Sequence, residues 1–153
     1  MEQFVGNHTQ FDADSDAIPD TYEREVAGGL SALGAQDSDL DGVLDVIEFA
    51  AGSDPRDGRS IPGGQMETAS GGEAILRYYE RELPTWLSLN AEFSTDLQQW
   101  GASLPGATTR SSARVLGQGL REYEIRISPT GEELPRVFSR LRVHSSQAAE
   151  SDK

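Results

Sequence analysis

The 153-residue chain has no cysteine and only two histidines, His8 and His144. The lack of thiols excludes disulfides and cysteine-based zinc or iron–sulfur sites, and two histidines so far apart in sequence do not indicate a zinc site. Neither histidine has a serine–acid partner at a suggestive spacing, and no pair of carboxylates stands out for glycoside hydrolysis. We therefore predict that the protein is not an enzyme.

Basic residues are also scarce, with 13 Lys and Arg against 26 Asp and Glu and a net charge of −13. The imbalance lies in residues 1–60, which hold 14 acidic and 3 basic side chains. Such a region attracts cations and repels nucleic acid, so no nucleic-acid partner is expected. No apolar run approaches the roughly 20 residues that span a bilayer, and the first residues do not resemble a signal peptide.

The acidic residues are regularly spaced. A twelve-residue stretch, 37–48, has carboxylates at its positions 1, 3, 5, 9 and 12, and the stretch 12–23 repeats the pattern 25 residues earlier. This is the spacing of an EF-hand-type loop, in which these carboxylates and the carbonyl at position 7 surround a calcium ion. Two Ca²⁺ ions are therefore expected. The predicted ligands are Asp12, Asp14, Asp16, Ile18, Asp20 and Glu23 in the first loop, and Asp37, Asp39, Asp41, Val43, Asp45 and Glu48 in the second.

The two predicted sites are unequal. Position 6 of the loop needs a positive φ angle, which Gly42 adopts freely and Ala17 adopts at a cost of about 1 kcal/mol. We expect the first loop to bind more weakly or to bend differently. Because the carboxylates of each loop repel one another, we also expect the N-terminal half to unfold largely when calcium is removed.

Each loop is followed by a short predicted helix, at 19–27 and 44–51. Pro19 suits the first helical position, and Gly28 ends the first helix. Only 13 residues separate Glu23 from Asp37, which is too few for an exit and an entry helix. The sequence thus predicts loop–helix units rather than paired EF-hands.

The spacing of these residues, the Pro19-Asp20 pair and the closing Gly-Ser-Asp-Pro of 52–55 resemble bacterial thrombospondin type 3-like calcium repeats. The resemblance covers residues 12–57 and implies the same ligands, with a third ion left open near Asp54 and Asp57. It also implies a secreted or surface multidomain protein. The dockerin family, which docks onto a cohesin partner through paired loop–helix calcium units, is the alternative.

Residues 58–72 are rich in Gly, Ser and Pro and are predicted to form a linker. Alternating apolar and polar residues then predict strands, and 73–146 is expected to be a small antiparallel β-sandwich, followed by a disordered tail at 147–153. Segments 93–100 and 138–143 resemble a β-module found at the C-terminal end of large secreted bacterial proteins. The predicted strands are 73–80, 86–94, 114–116, 121–128 and 136–144.

The expected fold class is α+β, with calcium-binding loop–helix repeats in 1–57 followed by the β-sandwich. The expected function is a non-catalytic, calcium-stabilised structural or interaction segment at the cell surface or outside the cell, as part of a longer secreted precursor. The alternative is a module that binds a protein or a glycan. For a glycan, a ligand face would be formed by the aromatic residues Tyr78, Tyr79, Trp86 and Trp100.

Overall fold

The computed structural model describes residues 11–26, 36–60, 62, 64–131 and 133–146. Within these residues two short helices precede six strands, and most of the regular structure is β. The elements are α1 (Asp20–Val26), α2 (Asp45–Ala51), β1 (Gln65–Thr68), β2 (Ala74–Arg81), β3 (Leu87–Ser94), β4 (Ala107–Gly117), β5 (Leu120–Pro129) and β6 (Phe138–Ser145).

The strands form two antiparallel sheets, one of four strands in the order β1-β2-β5-β4 and one formed by β3 and β6. Alternate residues of β2 and β3 turn inward, so that Leu76 and Phe93 are each 1% exposed. Tyr78 lies opposite Tyr123 in the register, and their rings stack with centroids 5.2 Å apart. This arrangement confirms the predicted β-sandwich-like part of the fold.

Two segments differ from the sequence prediction. Strand β4 spans eleven residues where only 114–116 was expected, and β1 lies inside the segment 58–72 that was predicted as a linker. Both strands lie at sheet edges and are mostly exposed, so neither needs the apolar alternation that marks a half-buried strand. The predicted tail at 147–153 lies outside the described residues.

The helical region and the sandwich share one hydrophobic core. Ile18 and Phe49 are 0% and 3% exposed, and they belong to the same cluster of buried side chains as Leu76 and Phe93. Helix α2 contacts strands β2, β3 and β6. Neither of the two described helices has the length and apolar character needed to cross a membrane.

An arginine from later in the chain binds the carboxyl end of each helix. The guanidinium of Arg56 donates a hydrogen bond of 2.8 Å to the carbonyl of Val26, the last residue of α1. The guanidinium of Arg81 in β2 donates one of 2.9 Å to the carbonyl of Phe49 in α2. Cations are favoured at this end of a helix because its carbonyl groups carry partial negative charge.

Candidate metal centre

The two acidic loops each bring three aspartates together. Within each loop, one carboxylate oxygen from each member lies within 4.8 Å of one from the other two. The groups are Asp12, Asp14 and Asp16 in the first loop, and Asp37, Asp39 and Asp41 in the second. Each group could hold a metal ion.

Backbone hydrogen bonds give the two loops the same shape. The carboxylate of Asp12 accepts the N–H of Ala17 at 2.9 Å, and Asp37 accepts that of Gly42 at 2.9 Å. Further bonds repeat with the same spacing of 25 residues. The carboxylates of Asp12 and Asp37 also accept the N–H groups of Asp16 and Asp41, respectively. The carboxylates of Asp16 and Asp41 in turn accept the N–H groups of Ile18 and Val43.

Left-handed backbone angles recur at equivalent places. Position 4 has a φ of 61° at Ser15 and 64° at Leu40, and position 6 has a φ of 81° at Ala17 and 96° at Gly42. The prediction that Ala17 adopts a positive φ is confirmed. The side chain of Ala17 is 7% exposed, so this strained residue is held in the interior.

A buried glutamate faces each aspartate group. Glu23 and Glu48 are both 0% exposed. Both oxygens of Glu23 and Oε2 of Glu48 have no hydrogen-bond partner among the described residues. Burial, reinforced by the nearby aspartates, raises the pKa of Glu23 to about 8 and that of Glu48 to about 7. Two buried acids left without partners are costly unless a cation or protons neutralise them.

The aspartates carry the same signature. Oδ2 of Asp16, Asp39 and Asp41 is buried without a hydrogen-bond partner in the described part of the chain. Burial raises the pKa of Asp16 to about 6 and raises that of Asp39. These unpartnered oxygens belong to the aspartate groups that the two glutamates face. A hard divalent cation that prefers oxygen ligands therefore fits the donor set.

The position-9 aspartates are placed differently from the rest. Asp20 and Asp45 lie outside both groups of three. The carboxylate of Asp20 accepts the N–H of Ala13 at 2.7 Å, and that of Asp45 accepts the N–H and the hydroxyl of Ser38 at 2.8 and 2.6 Å. In the structure these two residues close their loops.

The residues considered for a third ion do not cluster in the described structure. The carboxylate of Asp54 accepts the N–H of Arg56, and that of Asp57 accepts the N–H of Arg59. Neither belongs to a group of three or more possible ligands among the described residues. The backbone at Gly58 does approach the second loop: a Cβ built there would lie 3.9 Å from Oδ2 of Asp39.

Two supporting contacts were missed by sequence reasoning. The hydroxyl of Ser53 donates to Oε1 of Glu48 at 3.2 Å, and the indole N–H of Trp86 donates to the carbonyl oxygen of Ala17 at 3.2 Å. The serine lies two residues after the end of α2 and could have been proposed as a partner of that helix. The tryptophan is 69 residues from its partner, and no local pattern in the sequence indicates that pairing.

The aromatic residues considered for a glycan-binding face do not share one. Tyr78 is 5% exposed and belongs to the core, whereas Tyr79 is 37% exposed and points to the opposite side of β2. Trp86 packs on the first loop through its bond to Ala17. Trp100 lies beneath Arg140, whose guanidinium carbon is 4.3 Å from the ring centroid.

No protein-family model matches the chain, and the comparisons with curated proteins and with solved structures found no significant match.

Proposed function

We propose that the protein is a calcium-binding segment in which two ions stabilise the N-terminal loop–helix units and hold them against the β-sandwich. In this proposal it serves a structural or interaction role in a secreted or surface multidomain protein and carries no catalytic site. The aspartates, the two glutamates and the carbonyl groups of Ile18 and Val43 supply the ligands. Asp20 and Asp45 support the loops or bind through water.

The observation that carries the proposal is the repeated pairing of an aspartate group with a fully buried glutamate. Glu23 and Glu48 are 0% exposed and keep unpartnered oxygens. An acidic surface without a metal would leave such oxygens in water or paired with arginine. A buried carboxylate is instead favoured when a cation lies within about 4 Å to 6 Å of it.

The donor set supports calcium over the common alternatives. All available ligands are oxygens and no cysteine is present, which disfavours zinc and copper. Each loop offers four carboxylates and a carbonyl, which suits the six to eight ligands of Ca²⁺ better than the few protein ligands that Mg²⁺ usually takes.

The location and the role in a larger protein rest on the resemblance to thrombospondin type 3-like repeats. The shared hydrogen-bond pattern of the loops supports a repeat, and the arginine from the following unit at each helix end supports stacking. Weak affinity, with Kd of about 10⁻⁴ M to 10⁻³ M, would suit an extracellular setting.

Calorimetric titration with Ca²⁺ and with Mg²⁺, starting from chelator-treated protein, tests the proposal. We expect two calcium ions per chain and a thermal midpoint that rises with calcium concentration. The variants Glu23→Gln and Glu48→Gln should each remove one ion. Glu25→Gln is the matched control, because Glu25 lies in α1 and is exposed.

Binding of fewer than one ion, or a circular dichroism spectrum unchanged by chelator, would contradict the proposal. So would an equal loss of bound calcium in Glu25→Gln and in Glu23→Gln. If Mg²⁺ bound as tightly as Ca²⁺, the sites would be divalent-cation sites without the proposed selectivity.

A further inference from the structure

Strand β4 is the outer edge of the four-stranded sheet, and among the described strands its only neighbour is β5. All of its residues after Ala107 are exposed. Thr109 and Ser111 lie opposite the buried residues Ile127 and Ile125 of β5 and so share the inner face with them. Because these two β4 residues are exposed, the two-stranded sheet does not extend over β4.

The outward backbone groups of β4 can be assigned from the register. The N–H of Thr130 donates to the carbonyl of Gly106 at 3.0 Å, so this pair is a hydrogen-bonded one. Bonded pairs alternate along an antiparallel ladder, and Arg110 therefore bonds to β5 through its opposite residue, Arg126. Thr109, Ser111 and Ala113 direct their N–H and C=O groups away from the sheet, where an added strand could pair with them.

The exposed edge is positively charged although the chain is strongly acidic. Arg110 lies directly opposite Arg126, and like charges in that position repel. Arg126 is paired with Glu124 and Glu73 at 2.8 and 3.6 Å. Among the described residues Arg110 has no ion pair or side-chain hydrogen bond, and Arg114, with its bond to Glu122, is 71% exposed.

The positive charge of β4 indicates which kind of partner can bind along this edge. Residues 107–117 carry two arginines and no acid, so the β4 strand of a second copy would bring basic residues toward basic residues. A nucleic acid presents a continuous row of phosphates, which the two arginines of β4 are too few to neutralise. An extended peptide with carboxylates on one face would place them beside Arg110 and Arg114, which lie four residues apart on the same face of the strand.

We propose that β4 is a docking edge that accepts an extended acidic segment of a partner protein as an additional strand of the sheet. The backbone groups of Thr109, Ser111 and Ala113 supply the strand pairing, and Arg110 and Arg114 select carboxylates spaced four residues apart. The surface is separate from the two acidic loops and does not depend on the proposed calcium function.

The test uses the full chain in calcium with an acetylated, amidated peptide, Thr-Glu-Val-Thr-Val-Glu-Thr, and a version with lysine in place of each glutamate. We expect saturable binding of the glutamate peptide with Kd below about 1 mM and slowed exchange of the Thr109, Ser111 and Ala113 amides. The lysine peptide should not bind. The Arg110→Glu variant should lose at least about tenfold in affinity.

Ser111→Pro removes one outward N–H without breaking the ladder to β5, because proline is tolerated on an edge strand when its nitrogen faces outward. It should abolish binding while keeping the thermal midpoint, and Ser111→Ala, which retains the N–H, should bind normally. Absence of glutamate-peptide binding, equal binding of the lysine peptide, or retained binding by Ser111→Pro would overturn the proposal. So would dimerisation of the free protein that Ser111→Pro abolishes, since a second copy would then be the occupant.

Discussion

The indole N–H of Trp86 donates a hydrogen bond of 3.2 Å to the carbonyl oxygen of Ala17. Trp86 immediately precedes β3. Ala17 is at position 6 of the first acidic loop and has a φ of 81°, although it is not a glycine. The β-sandwich therefore holds the strained position of this loop from outside. The equivalent position of the second loop is Gly42, which adopts a positive φ without a side chain to strain.

The first prediction concerns this bond. Trp86→Phe removes the donor but keeps an aromatic ring, and a net hydrogen bond contributes about 1 kcal/mol. We expect calcium affinity at the first loop to fall about fivefold, with the second loop unchanged in calorimetric titration. Trp100→Phe is the control, because the indole of Trp100 bonds to Leu97 away from both loops. Equal weakening of both loops, or the same loss in the control, would contradict the prediction.

The second prediction concerns backbone strain. Ala17→Gly should relieve about 1 kcal/mol and raise the affinity of the first loop by up to about fivefold. The reciprocal change Gly42→Ala should weaken the second loop by a similar factor. A Cβ at Gly42 would meet no atom within 4 Å, so only its φ of 96° opposes the substitution. Calcium titration of both variants should therefore show a smaller or reversed difference in affinity between the two loops. Unchanged affinities would exclude backbone strain as the cause of that difference.

The third prediction concerns pH in the absence of calcium. The folded chain raises the pKa of Glu23 to about 8 and that of Glu48 to about 7, mainly through burial. Between about pH 4.5 and pH 8 the folded state thus holds more protons than the unfolded state, and its free energy of unfolding should decrease as pH rises through this window. Thermal unfolding in chelator should show a midpoint that falls as pH rises, and near about pH 8, where both glutamates lose their protons, the N-terminal half should be largely unfolded.

Calcium should reverse that dependence. Ion binding requires deprotonated carboxylates and releases protons, so affinity should increase with pH over the same window. Thermal midpoints measured in saturating calcium should then be level or rising. A midpoint in chelator that increased between about pH 5 and pH 8 would contradict the burial of the two glutamates.

The fourth prediction concerns Arg81. Its guanidinium bonds to the carbonyl of Phe49 and lies 4.8 Å and 5.2 Å from the ring centroids of Tyr22 and Phe49. Arg81→Lys keeps the charge but cannot keep the planar contact with both rings, and we expect a loss of about 1 kcal/mol to 2 kcal/mol in urea unfolding. Arg114→Lys, at a 71% exposed position, should change stability by less than about 0.5 kcal/mol. Equal losses of stability in Arg81→Lys and Arg114→Lys would show that the contacts of Arg81 with Tyr22 and Phe49 do not stabilise the fold.

Local sequence patterns predicted the features that depend on near neighbours. The five-position spacing anticipated the aspartate groups and the positive φ at Ala17, and alternation placed β2 and β3 within about one residue of their observed bounds. Strand β4 was recognised only at 114–116, because an exposed edge needs no apolar face and its Ser, Thr and Arg residues show no period.

The sequence could not indicate contacts between distant segments. The bonds of Arg81 to Phe49 and of Trp86 to Ala17 join residues 32 and 69 positions apart, and such pairs follow from how helices pack on sheets. The hydrogen bonds that Asp45 accepts from Ser38 could not be predicted either. The ligand spacing is the same whether a carboxylate points to an ion or accepts the N–H of Ser38.

The arginine at the end of each helix limits how early that helix end can be completed while the chain is being synthesised. The carbonyl of Val26 can bond to Arg56 only after thirty more residues have been added, and that of Phe49 to Arg81 only after thirty-two. As the chain leaves the ribosome, each helix end must remain incomplete until the following unit has emerged. The last arginine comes from the β-sandwich. In a nascent chain of such units, each helix end would therefore be completed only after the next unit had been synthesised.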